Sequence, residues 1–115
     1  MTQPYTETDP PREDIDALAG PTVLEFGSNS CGICAAARAR IEQALAGYPQ
    51  VRHLTFEDGR TRRLGRTFGV KLWPTLVFLD NGKEVSRLVR PQDAQPIAQA
   101  LAAVQALATQ QGLAR

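Results

Sequence analysis

The apolar residues of this chain change period several times along its length, and each change marks an element. Residues 22–26, Thr-Val-Leu-Glu-Phe, form a short apolar, partly β-branched run that predicts a strand. From Cys34 the apolar positions Cys34, Ala37, Ile41 and Leu45 recur at helical spacing, until Gly47 and Pro49 stop them. Residues 51–56 alternate and predict a second strand. Residues 60–68 predict a short basic helix in which Leu64 and Phe68 share a face, with Gly69 as its stop. The run Thr75–Asp80 is the most strand-like of all, and Asn81-Gly82 signals a tight hairpin returning through Lys83–Val89. A last helix is expected over residues 93–109, with Ile97, Leu101, Val104 and Ala108 on one face.

The N-terminal stretch is weaker in pattern. Residues 1–9 offer little to bury and are expected to be loosely attached. Asp9, Pro10 and Pro11 followed by acids predict a short helix over residues 10–18, with Ile15 and Leu18 facing inward. The chain thus divides into a polar segment with a short helix (1–19), one domain (20–109) and a frayed end (110–115). A right-handed strand–helix–strand crossover makes the first two strands parallel, and the hairpin adds an antiparallel pair. The expected class is α/β, a mixed sheet of about four strands flanked by helices on both faces. With no strand in residues 1–19, the second strand would lie at the sheet edge, protected by Arg52 and His53.

Composition narrows the function. At 115 residues, with 43% hydrophobic and 22% charged residues, the chain is an ordinary single domain. A net charge of +1 argues against nucleic acid or a polybasic membrane surface as partner, and Arg60, Arg62, Arg63 and Arg66 are read as a solvated face. No apolar run approaches the roughly 18 residues of a membrane span, and the polar N-terminus lacks a secretory apolar region. A cytoplasmic location and a monomer are the expectations.

Both cysteines fall in one motif, Cys31-Gly32-Ile33-Cys34, where a strand hands over to a helix. Ser30 is the expected helix cap. Unpaired N–H groups and the partial positive charge of a helix N-terminus stabilise a thiolate there. The sulfur nearer the helix end, Cys31, is then the nucleophile, and Cys34, about one turn on, can close a disulfide with it. Core thiols have no reason to be spaced this way. Zinc would lack two ligands, since His53 is the sole histidine, so neither metal nor cofactor is expected.

Taken together, Glu25-Phe26 before the cysteines, Cys31-Gly32-Ile33-Cys34, Trp73-Pro74-Thr75, and the Asn81-Gly82 hairpin before a terminal helix resemble the thioredoxin superfamily over about residues 20–108. The resemblance implies a thiol–disulfide oxidoreductase acting on protein disulfides, with an upstream reductase or reductant. It implies a cis bond before Pro74, and it makes Trp73, Pro74, Thr75, Gly32 and Ile33 the substrate-binding surface, Trp73 as an exposed wall. It also makes Glu25 a buried acid that takes the Cys34 proton, and His53 its candidate partner. The chain departs from the family in having Ser30 and Ile33 in place of a tryptophan and a proline, Gly27 in place of an aromatic, and no glycine after the last strand, in the stretch Val89-Arg90-Pro91. The alternative is a redox-inert or redox-regulated binding module that uses the Trp73-Pro74 groove.

Overall fold

The computed structural model describes residues 4–113. Four strands, β1 (Pro21–Gly27), β2 (Arg52–Glu57), β3 (Thr75–Asp80) and β4 (Lys83–Val89), make one sheet in the order β2-β1-β3-β4. β1 runs parallel to β2 and antiparallel to β3, and β3 runs antiparallel to β4. The helices are α1 (Arg12–Asp16), α2 (Gly32–Leu45), α3 (Leu64–Thr67) and α4 (Ala94–Leu113). This is the expected mixed sheet with helices on both faces.

The pleat assigns the core. Val23, Leu76 and Phe78 point to one face, where Ala37 and Ile41 of α2 and Ile97, Leu101 and Val104 of α4 cover them. Leu24, Phe26, Val77 and Leu79 point to the other, against Ile15 of α1 and Leu64 and Phe68 around α3. Since β1 and β3 are buried on both sides, their sequences read as nearly unbroken apolar runs rather than alternating ones. A polar residue inside β1 therefore has no solvent side to turn to.

Three expectations need correction. The chain around residues 4–9 is not loosely attached: Tyr5 is buried, its N–H donates to Asn29 Oδ1 at 2.8 Å, and the Thr6 carbonyl accepts from Glu57 N at 2.8 Å. α3 spans four residues instead of 60–68, because the Asp9 carboxylate reaches across to accept from the N–H groups of Arg63 and Leu64 (2.8 and 2.9 Å) and starts the helix there. α4 continues to Leu113, past the expected fraying at residue 110. Residues 1–3 and 114–115, also expected to be loose, lie outside the described residues.

β2 is an edge strand, bridged only by Thr6 at Phe56 among the described residues. Its protection differs from the sequence reading. Arg52 folds back onto the Ala19 carbonyl and Thr22 Oγ1 at 3.0 and 3.1 Å, while His53 turns inward, away from the edge.

Candidate active site

The turn after β1 delivers Cys31 in an extended conformation, φ −93° and ψ 114°, and α2 begins at the next residue. Cys31 itself is the cap, not Ser30: its Sγ accepts the Cys34 N–H at 3.2 Å. Ser30 instead sits 3.1 Å from Ser28, hydroxyl to hydroxyl. The sulfur of Cys31 thus occupies the position where an N-terminal helix N–H group favours negative charge. Cys31 is partly exposed, whereas Cys34 is 1% exposed.

That burial pushes the Cys34 thiol up to about 11, and the hydrogen bond and charge of Cys31 add to it; hydrogen bonds from the Ser28 backbone and the Tyr5 hydroxyl pull the other way. A raised value means that thiolate forms only as the pH approaches it. In Cys31→Ser, iodoacetamide should therefore label Cys34 slowly at neutral pH and faster toward pH 11. A labelling midpoint at the ordinary value of about 8.5 would contradict the burial seen here.

Glu25 is 0% exposed and lies on the α2 side of β1, in the same pleat as Val23 and Gly27. A buried carboxylate needs partners, and among the described residues three reach it. His53 Nε2 lies 2.9 Å from Oε1, the Tyr5 hydroxyl donates to Oε2 at 2.5 Å, and Arg38 Nε is 3.3 Å from Oε2. The Arg38 guanidinium also stacks over the Tyr5 ring, 4.3 Å from its centre. So Glu25 and His53, proposed as a pair from the sequence, are brought together.

Tyr5 and Arg38 were not identified from the sequence. Arg38 had a legible signal, since it follows Cys34 by one i,i+4 step and so shares its helix face. Tyr5 had only Gly27, a glycine where the family carries an aromatic. The structure explains the glycine: a Cβ at Gly27 would fall on the Tyr5 ring tip and hydroxyl.

The Trp73–Pro74 bond is cis, as the resemblance implies. Trp73 is half-buried rather than an exposed wall. Its indole N–H donates to Asp58 Oδ2 at 2.9 Å, and its ring packs on the core opposite α2 and α4. Pro74 and Thr75 are buried, with Thr75 Oγ1 donating to the Leu72 carbonyl at 2.6 Å. Arg90, at φ 50°, ties this turn down: its Nε donates to the Trp73 carbonyl and its N–H to the Pro74 carbonyl, both at 2.8 Å. Arg90 also lines a cavity of about 310 Å³ with Ile33, Ala36, Arg40 and Pro91. Gly32 and Ile33 are exposed beside it. Among the described residues no cluster of three His, Cys, Asp or Glu side chains is placed to hold a metal ion, and no helix is long and apolar enough to cross a membrane.

Comparison with known proteins gives the same architecture. The family model described as thioredoxin matches residues 6–103. A thioredoxin of Chlamydia muridarum is 34% identical over 79 residues, 68% of this chain and 78% of its own length. The reduced form of thioredoxin 2 from Pseudomonas aeruginosa PAO1 superposes with a TM-score of 0.83 at 47% identity, covering 92% of this chain and 98% of that one. The short form of thioredoxin f from spinach chloroplast shares the fold, with a TM-score of 0.72 at 20% identity, over 89% of this chain and 92% of that one.

Proposed function

Since the chain belongs to the thioredoxin family and is a thiol–disulfide oxidoreductase, we propose that Cys31 is its attacking sulfur and Cys34 its resolving one. The observation that carries this division is the unequal placing of the two sulfurs: Cys31 is partly exposed at the start of α2, and Cys34 is buried one turn in.

In the first step the Cys31 thiolate attacks a protein disulfide. A Cys31–substrate sulfur bond forms, the substrate S–S bond breaks, and one substrate sulfur leaves as thiolate. In the second, Cys34 loses its proton and attacks Cys31. The Cys31–Cys34 disulfide forms and the second substrate sulfur is released, so two electrons have passed to the substrate. A reductase or a small dithiol then returns two electrons to the pair.

Gly32, Ile33, Trp73, Pro74 and Thr75 are read as the surface that holds an extended substrate segment. Ile33, Leu72 and Val89, each close to half exposed, are the apolar side chains left open on these and the adjoining segments. The protein acts in this reading as a cytoplasmic monomer. Its two cysteines both belong to one vicinal motif, which suits a reducing compartment better than a framework of structural disulfides would.

Insulin reduction in the presence of dithiothreitol tests the proposal. The wild-type chain should speed precipitation of the insulin B chain, and Cys31→Ser should return the rate to that of dithiothreitol alone. Equal rates for the two would remove Cys31 from its role and favour the binding-module alternative.

A further inference from the structure

The resolving step leaves one question of proton bookkeeping. Cys34 must lose its proton to attack, yet it is buried, and the carboxylate that could accept the proton belongs to β1, across from the helix. The group that acts on both comes from neither element. Tyr5 enters from the N-terminal segment, 3% exposed, with its backbone held at both ends: its N–H donates to Asn29 Oδ1 at 2.8 Å, and Asn29 Nδ2 donates to its carbonyl at 3.3 Å. Its ring lies in the space that Gly27 leaves vacant. There its hydroxyl donates to Glu25 Oε2 at 2.5 Å, its ring lies under the guanidinium of Arg38, one turn after Cys34 on α2, and it is among the groups that favour the Cys34 thiolate.

We propose that the Tyr5 hydroxyl is a proton relay that carries the Cys34 proton to the Glu25 carboxylate as Cys34 attacks the mixed disulfide. This rests on the assignment of Cys34 as the resolving thiol. The Cys34 S–H proton passes to the phenol oxygen, and the phenol's own proton passes to Glu25 Oε2. Tyr5 ends neutral, Glu25 ends protonated, and the new thiolate, now accepting from the Tyr5 hydroxyl, forms the S–S bond. The released substrate thiolate takes a proton from water.

Burial, and then the adjacent Glu25 charge, hold the phenol far above its ordinary value, so it works as a neutral relay and never as a phenolate. The groups facing it are Cys34 and Arg38 from α2, Glu25 from β1 and, beyond Glu25, His53 from β2. His53, with 26% of its side chain exposed, gives the proton a way from Glu25 to solvent.

Single turnovers with 5,5′-dithiobis(2-nitrobenzoate) separate the steps, because one thionitrobenzoate leaves when Cys31 attacks and the second when Cys34 does. Tyr5→Phe keeps the ring and removes the relay. The first phase should keep its wild-type rate and the second should slow by about a hundredfold at pH 7. The deficit should shrink with rising pH as hydroxide takes over the proton. Gly27→Ala, which closes the space the ring needs, should slow the same phase. An unchanged second phase in Tyr5→Phe, a loss shared equally by both phases, or a deficit that does not vary with pH would each overturn the relay. If the wild-type protein releases only one thionitrobenzoate, the failure lies instead with the assignment of Cys34.

Discussion

Cys34→Ser should turn the protein from a catalyst into a trap. Well-oriented intramolecular groups reach effective concentrations of about 10⁵ M or more. A thiol titrating near 11 is only about one part in 10⁴ thiolate at pH 7. Its effective thiolate concentration is therefore still on the order of 10 M, far above that of an external thiol at millimolar concentration. The inner sulfur thus wins the resolving step despite its burial, and without it the mixed disulfide has only external thiols to break it. Insulin turnover should fall to near background, and non-reducing mass spectrometry should find Cys31 joined to one substrate chain. Cys31→Ser should form no such adduct. Rapid turnover by Cys34→Ser, with no adduct, would show that Cys34 does not resolve the intermediate.

The second large effect is structural. Gly82→Ala should cost about 2–5 kcal/mol: roughly 1–2 for a side chain in left-handed backbone and a further 1–3 for crowding. Gly82 sits at φ 81° in the β3–β4 turn, and a Cβ there would collide with the backbone of Asp16 at the end of α1. Backbone on both sides of the clash leaves no flexible side chain to yield. Gly69, at φ 69° with nothing within 4 Å, is the control, and Gly69→Ala should cost only the backbone part, about 1–2 kcal/mol. Urea midpoints at unchanged m-value measure both. Equal losses would mean that α1 yields freely and does not lock against the hairpin. The loss expected at Gly82 is a large share of the 5–15 kcal/mol typical of a small domain.

The sequence by itself determined whatever depends on near neighbours. The double-sided burial of β1 and β3 shows as unbroken apolar runs, the β3–β4 turn as Asn81-Gly82, and the long helices as apolar positions three and four apart. The dithiol was legible for the same reason, since Cys31 and Cys34 need only one helical turn to meet. Glu25 was legible as an anomaly, a charge inside an apolar strand. Short elements fared worse because their ends are decided elsewhere: α3 begins where Asp9, more than fifty residues earlier, supplies the cap. Even the cap of α2 depended on the turn's conformation, which chose the Cys31 sulfur over the Ser30 hydroxyl.

Only the tertiary structure decided how Glu25 is partnered. Tyr5, Arg38 and His53 reach it from the N-terminal segment, α2 and β2, and which side chains meet follows from sheet register and from the helix face laid on the sheet. Tyr5 shows the limit most clearly. Nothing in a polar N-terminal stretch signals a buried phenol, and Gly27 records only that space was left. What fills that space was settled by the path of the chain in three dimensions, because a side-chain contact between distant segments leaves no period in the sequence to read.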